Sequence, residues 1–149
     1  MRKPSPLKLN ATSEEDLETI SAACQDAIIQ PKDFRYFKRA RRFTVEMNRF
    51  HWEVAGLRKP YFRSRSVLGV DFVTRVQSRG MPDKYGEVPA QLLAIQFEKA
   101  QEPPSGVFTM LYAGGGEVRL EVECVDLTLL DSNQIWPTSR RPDHQRIFR

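Results

Sequence analysis

The chain has 149 residues, 40% of them hydrophobic and 28% charged, which is enough apolar material for one folded domain and excludes global disorder. The formal net charge is +4, but residues 30–80 hold thirteen Lys and Arg against four acidic residues, whereas residues 81–131 hold three against nine. No apolar stretch approaches the roughly eighteen uninterrupted residues that would span a bilayer.

The N-terminal region MRKPSPLKLNATSEED lacks the apolar run of a signal peptide, so we expect a cytoplasmic protein without a membrane partner. Within it, PLKLNA predicts a first strand or an extended arm. The next stretch, ATSEEDLETISAACQDA, predicts one amphipathic helix over about 13–26. Thr12 and Glu15 have capping-box spacing, and apolar residues recur near the helical period at Leu17, Ile20, Cys24 and Ala27.

After this helix the period changes to two, which predicts antiparallel strands and no parallel crossover units. DFRYF and RFTVEMNRFHWEV are two predicted strands joined by the basic connection KRARR, and SVLGVDFVTRVQSRG and AQLLAIQFEKA follow. The third of these segments is expected to present one face made of Leu68, Val70, Phe72, Thr74 and Val76. A glycine run at 114–116 between two alternating segments predicts a hairpin, because glycine supplies the positive φ of a tight turn.

The predicted fold is therefore α+β and mainly antiparallel β, with six or seven strands in a bent sheet or partly closed barrel and one N-terminal amphipathic helix. We expect a single globular domain over residues 1–131, with strands from about 28 to 130. Periodicity then stops and Pro and Arg residues take over, which predicts a docked or mobile tail over 132–149.

The strings CQDAII, RRFTVEMNRFHWE, SRG, LLAIQFE and YAGGGEVRLEVECVD, followed by a Trp-containing tail with RRPDH, resemble an uncharacterised alphaproteobacterial family, the domain of unknown function 2948. The resemblance covers about residues 7–145, and NRFHWE and GGGEVRLEVEC are its most specific parts. It implies a small stand-alone cytoplasmic bacterial protein. It implies no activity, cofactor or catalytic residue, so a function must follow from the side chains.

Residues 35–53, RYFKRARRFTVEMNRFHWE, concentrate basic and aromatic side chains more than any other part of the chain. The basic hairpin 35–49 predicts contact with an anionic macromolecule, either a nucleic acid or an acidic protein, because cations neutralise phosphates and rings stack on unpaired bases. The alternative is that the aromatic residues form the core and the arginines solvate a hairpin end. The candidate contact residues, including one from the tail, are Tyr36, Lys38, Arg39, Arg41, Arg42, Arg49, His51 and Trp136.

In this stretch the apolar residues stand at odd-numbered positions over 43–47 and at even-numbered positions from Phe50 onward, so the alternation shifts by one residue near Asn48 and Arg49. Either a β-bulge lies there, or the strand is apolar on both faces because the helix or the tail covers its outer side. With a bulge, Arg49, His51 and Glu53 would share an exposed face.

The triplet HWE raises the alternative of an enzyme, because His51 and Glu53 on one strand face would form an acid-base pair in a pocket. No nucleophile or third orienting group is identifiable beside them, so no catalytic residue is assigned. His144 is the only other histidine, which leaves too few ligands for a zinc site. AGGGE joins strand to strand and therefore does not predict a phosphate-binding loop, so we expect neither a metal nor a cofactor. Cys24 and Cys124 are expected as buried thiols without a disulfide.

The tail supports a further alternative, a protein-interaction or assembly factor that acts through Ile135 and Trp136 and through a sheet edge. The same two residues could instead fold back over the sheet. A homodimer through an uncovered sheet edge is another expected arrangement. The function predicted first remains a non-catalytic binding module that contacts an anionic macromolecule through the basic hairpin.

Overall fold

The computed structural model describes residues 3–142, in which one α-helix packs against an antiparallel sheet of ten strands. Helix α1 spans Glu14–Cys24, and two 3-10 helices span Pro31–Asp33 and Trp52–Val54. The strands are β1 Lys8–Ala11, β2 Ile28–Ile29, β3 Phe34–Phe37, β4 Arg42–Phe50, β5 Tyr61–Val70, β6 Val73–Arg79, β7 Ala90–Lys99, β8 Gly106–Tyr112, β9 Glu117–Val122 and β10 Leu127–Thr138.

The predicted class, mainly antiparallel β with one N-terminal helix, is confirmed, but the predicted number of six or seven strands is wrong. Strand β2 has only two residues, too few to give a periodic pattern. The segment expected as one strand over 66–80 is instead the end of β5, a turn and all of β6. Residues 132–138, expected in the tail, continue β10.

The strands follow the order β1-β10-β5-β4-β2-β7-β8-β9-β6, and β3 pairs with β4 beside this path. Because β1 and β6 lie at its two ends, the sheet is not closed. Inward-facing residues from strands along the whole sheet form one hydrophobic core. Helix α1 covers this core by packing on β1, β4 and β7. Alternate residues of β4 and β5 contribute to this core, namely Phe43, Val45, Met47, Leu68 and Val70.

Helix α1 begins after Ser13, whose Oγ accepts a hydrogen bond from the Asp16 amide at 3.3 Å. The cap is therefore Ser13 and not Thr12, although both residues suit the position. Three acidic residues in the first turn complement the positive end of the helix dipole. The predicted stripe is buried, through Leu17, Ile20 and Cys24 in the helix and Ala27 just after its end. Ala23, which was not predicted, is buried beside them.

The glycine hairpin joins β8 to β9 as predicted. Gly114 and Gly115 have φ angles of 87° and 93°, which a residue with a Cβ rarely adopts. In β9, Val118, Leu120 and Val122 are buried, which confirms the dry face expected from their alternation. This hairpin carries β9 to its pairing with β6.

Strand β4 contains no bulge, since its pairing with β5 runs without a shift from Phe43 to Phe50. The change of parity has another cause: Arg49 occupies an inward position and is buried. Phe50 lies on the opposite face and is also buried, because the rings of Trp52 and Tyr61 pack against it at centroid distances of 4.6 and 5.8 Å. The outer side of the strand is therefore covered at Phe50, but by Trp52 and Tyr61 and not by the helix or the tail as expected.

The expected common face from Leu68 to Val76 is interrupted at the turn between β5 and β6. Phe72 has a φ of 60° and is exposed, and Thr74 is exposed too. Val73 is buried in place of Phe72, so the expectation of a buried Phe72 is wrong.

The part of the tail within the described residues continues the sheet. Ile135 is buried, and Trp136 is half-buried opposite Arg63 of β5. The remaining tail residues, including His144, lie outside the described residues. Within residues 3–142, no helix is long and apolar enough to cross a membrane.

Both cysteines are free thiols, as expected. Cys24 is fully buried, and this burial raises its pKa to about 12. Cys124 is only partly buried, which corrects the expectation of two buried thiols.

Candidate functional site

A polar cluster lies between the inner face of the sheet and α1. It consists of Arg49, His51, Glu53, Ser64, Ser66 and Asp131. All of these side chains are buried except that of Glu53, which is 35% exposed. The Arg49 guanidinium donates to both Asp131 oxygens at 2.9 and 2.8 Å and to both Glu53 oxygens at 2.8 and 3.1 Å. It also donates to the Ala23 carbonyl at the end of α1, at 3.3 Å. Arg49 therefore connects β4 to β10, to α1 and to the second 3-10 helix.

His51 and two serines complete this buried polar cluster. The His51 Nδ1 atom lies 3.2 Å from Glu53, and its Nε2 atom lies 2.8 Å from the Ser64 hydroxyl. Ser64 contacts Ser66 at 3.0 Å, and Ser66 donates to Asp131 at 2.6 Å. Arg49 and His51 are buried, so their predicted exposure on one face with Glu53 is wrong.

Hydrogen bonds explain how this cluster tolerates burial. Ser66 uses its proton on Asp131, so the contact between the serines requires the proton of Ser64. Ser64 then accepts from His51 Nε2. His51 Nδ1 faces two groups, a Glu53 carboxylate oxygen at 3.2 Å and an Arg49 N–H at 3.4 Å. The Arg49 charge is paired with two carboxylates, and buried charges are stable only when they are paired in this way.

The carboxylates of the cluster are held in their ionised form. Burial alone would raise the pKa of Asp131, but hydrogen bonds from Arg49 and Ser66 and from the Leu7 amide lower that pKa to about 2. Burial would likewise raise the pKa of Glu53, and hydrogen bonds from His51 and Arg49 lower it to about 2. The pKa of Arg49 is raised despite its burial, because the same two carboxylates stabilise its charge.

Ser64, His51 and Glu53 have the connectivity of a serine, a histidine and an acid in an acyl-transfer site. A nucleophile must nevertheless contact its substrate, and the Ser64 side chain is fully buried with its hydroxyl directed at His51 and Ser66. A pocket exposing His51, the arrangement expected for an enzyme, is not what this geometry provides. We therefore interpret the buried polar cluster as a structural element that fastens α1, β4, β5 and β10 together.

A second group of residues lies just before the start of β4 and includes three of the predicted contact residues, Lys38, Arg39 and Arg41. We call this group the hairpin tip and define it as Phe37, Lys38, Arg39, Arg41 and Phe72. Two turns meet here, the turn from β3 to β4 and the turn from β5 to β6. The Val73 amide donates to the Arg41 carbonyl at 2.8 Å. Tyr36 donates its hydroxyl to the Val73 carbonyl at 2.8 Å and packs on the core, so it supports the tip from within.

The arginines of the tip region differ in how they are paired. Arg41 forms an ion pair with Glu123, and Arg42 forms one with Asp71 at 3.0 Å. Both guanidinium groups remain partly exposed. Three predicted contact residues of the basic hairpin, Arg41, Arg42 and Arg49, therefore have carboxylate partners. The acidic segment 81–131 supplies the partners of Arg41 and Arg49, which are Glu123 and Asp131.

Lys38 and Arg39 are exposed in the turn and form no ion pair with another described residue. Phe37, which precedes them, is 50% exposed, and Phe72 on the adjacent turn is 42% exposed. Arg41 and Phe72 both have positive φ angles, 51° and 60°. A left-handed residue with a Cβ costs roughly 1–2 kcal/mol, so the sheet holds this tip in a strained conformation.

Phe72 is the residue of the tip that the sequence interpretation missed. The pattern assigned it to the buried face because alternation was assumed to continue from Val70. The available signal was the Asp71 that precedes it, since Asp is depleted in strands and favoured in turns.

Trp136, the candidate from the tail, is far from this tip. It lies opposite Arg63 near the start of β5, whereas the tip follows the end of β5. The structure therefore does not bring the predicted contact residues together as one surface. Within residues 3–142, no group of three or more His, Cys, Asp or Glu side chains is arranged to hold a metal ion.

Comparison with known proteins gives one match. The model of the family described as "Protein of unknown function (DUF2948)" matches residues 7–144, which is nearly the whole chain. No curated protein and no solved structure matches this chain. The chain belongs to the DUF2948 family.

Proposed function

We propose that this member of the DUF2948 family binds single-stranded nucleic acid through the hairpin tip, as a non-catalytic module. One observation carries the proposal: Phe37, Lys38 and Arg39 at one turn and Phe72 at the adjacent turn are all exposed, and the two cations have no carboxylate partner among the described residues. The hydrogen bond from the Val73 amide to the Arg41 carbonyl joins the two turns.

The aromatic residues favour a single strand over a duplex. Unpaired bases expose their faces, and stacking of one base on an aromatic side chain contributes roughly 1–3 kcal/mol. Phe37 and Phe72 each expose part of a ring, and covering that surface with a base would be favourable. Phe72 has a strained φ of 60°, and strained residues of this kind are often found where a protein contacts a ligand.

The charges of the tip favour weak, sequence-tolerant binding. Lys38 and Arg39 are available for phosphates, whereas Arg41 and Arg42 are held by Glu123 and Asp71. Each phosphate contact of a single strand contributes a slope of roughly −0.7 to log Kobs against log salt. Two contacts predict a slope of roughly −1.4, and recruitment of both paired arginines would double it.

The test compares two charge reversals that are matched in size. Lys38→Glu/Arg39→Glu changes the tip and leaves all observed ion pairs intact. Arg58→Glu/Lys59→Glu changes an exposed Arg-Lys pair just before β5, at the opposite end of that strand. Binding of a fluorescent single-stranded oligonucleotide is measured by anisotropy between about 50 and 200 mM salt.

We expect the tip variant to lose binding at least tenfold and the control variant to bind as the wild type does. Equal loss in both variants would mean that total charge alone attracts the oligonucleotide, and no loss in the tip variant would remove the assignment. Vesicles with anionic lipids and an acidic peptide are measured beside the oligonucleotide. Preference for either of them at equal salt would replace nucleic acid as the partner class.

A further inference from the structure

The sheet has an unpaired gap between β6 and β3, which we call the seam, and a small cleft lies in it, separate from the hairpin tip. Strand β6 lies at one end of the sheet, and its first residue, Val73, is hydrogen-bonded to Arg41 and Tyr36. Further along, no backbone pairing joins β6 to β3 within the described residues. A cleft of about 200 Å³ lies there, between the first 3-10 helix, β3, β4, β6 and β9.

The inner wall of this cleft is apolar and partly aromatic. Phe34 and Phe43 lie side by side at a centroid distance of 5.9 Å, and Phe34 is supported from behind by the edge-on ring of Tyr112 at 6.1 Å. Val76 and Val118 form the side that belongs to β6 and β9. An apolar molecule that replaced water in this cleft would gain burial free energy in proportion to its area.

The rim of the cleft carries a single charge. Lys84 lines it from the loop after β6, and Ser78 adds a hydroxyl from β6 itself. Lys84 forms no ion pair with another described residue. An apolar wall with one available cation at its rim is complementary to a molecule that has an apolar body and one negative end.

We propose that the seam cleft binds a small carboxylic acid with an apolar body, and that Lys84 contacts the carboxylate. The volume decides between kinds of occupant: about 200 Å³ is below the usual 300–1,000 Å³ of pockets for larger ligands and is too small for a strand or helix of a partner. The body of the acid packs on Phe34 and Phe43.

Benzoate and hexanoate are suitable probes, and benzamide is the neutral control for benzoate. The full chain is titrated with each probe while backbone amide resonances are followed by NMR. We expect the amide shifts to concentrate at Ser78, Lys84 and Val118, with a Kd on the order of 1 mM for the acids. Benzamide is expected to shift the same amides at higher concentration, because it fills the cleft without pairing with Lys84.

Two variants test the roles of charge and space. Lys84→Gln should weaken benzoate binding about tenfold and leave benzamide binding unchanged, as a lost charge-assisted hydrogen bond predicts. Ser78→Phe places a ring at the mouth of the cleft from an exposed position and should remove binding of all three probes. Gln77→Phe adds the same ring at the next exposed position of β6 and is the matched control.

Shifts that spread over the surface, or that stay absent up to about 10 mM acid, would overturn the proposal, because an affinity on the order of 1 mM saturates the site there. An equal loss of benzoate and benzamide binding in Lys84→Gln would overturn the assignment of an anionic ligand. Equal effects of the two phenylalanine substitutions would show that the cleft is not the site.

Discussion

Arg49 and Asp131 form a two-point ion pair in which neither side chain is exposed to solvent. The two residues lie 82 positions apart in the chain, on β4 and β10, which are separated in the sheet by β5. Ser66 of β5 donates to the same carboxylate, so one acidic side chain fixes the relative positions of three neighbouring strands. The stability of the fold should therefore depend on this pair more than on its surface ion pairs.

Arg49→Met should lower the free energy of unfolding by about 3 kcal/mol or more, because it leaves the Asp131 carboxylate buried without its counter-charge. Arg42→Met is the matched control, since its pair with Asp71 is partly exposed and should contribute about 1 kcal/mol or less. Urea denaturation of both variants measures the difference. Equal destabilisation would show that the buried polar cluster has no special role.

Acid should weaken the fold through the same cluster. Asp131 and Glu53 have folded-state pKa values of about 2, below their unfolded values of roughly 4. A pKa that is lower in the folded state adds stability above the unfolded pKa, and this stability is lost as the pH falls from roughly 5 to 2. For Asp131 the loss should be roughly 2–3 kcal/mol.

Urea midpoints measured between pH 7 and pH 2 show whether this occurs. In Glu53→Gln one of the two carboxylates no longer titrates, so stability should fall less steeply with acid than in the wild type. An unchanged steepness would place the acid sensitivity elsewhere.

Phe72→Asn should separate binding from stability. Asn adopts a positive φ more readily than Phe, so relief of roughly 1–2 kcal/mol of strain should offset much of the lost packing. We expect a free energy of unfolding within about 1 kcal/mol of the wild type, together with weaker oligonucleotide binding at the hairpin tip. A large loss of stability with unchanged binding would instead assign Phe72 a structural role.

The sequence predicted those parts of the fold in which local pattern and tertiary structure agree. The apolar stripe of α1 and the apolar-polar alternation of β9 each correspond to a single buried face. The glycines at 114–116 predict a turn without any information about the residues around them. Strand β2 was missed because two residues pair with β4 and β7 without any pattern of their own.

The candidate site could be predicted only in part, for a similar reason. The pattern correctly singled out residues 35–53 as unusual, but it assigned Arg49 to the surface because charged side chains are rarely buried without a partner. That partner, Asp131, lies in a segment with no visible relation to β4 in the sequence. The ion pair between Arg41 and Glu123 likewise depends on how distant strands are aligned in the sheet, and the amino-acid composition of the segments does not reveal that alignment.

The position of β10 between β1 and β5 has a consequence for how the protein is made. Asp131 leaves the ribosome after every other member of the buried polar cluster, and β1 has no neighbouring strand until β10 emerges. The buried polar cluster can therefore be completed only after β10 has been synthesised, and until then Arg49 lacks the Asp131 carboxylate.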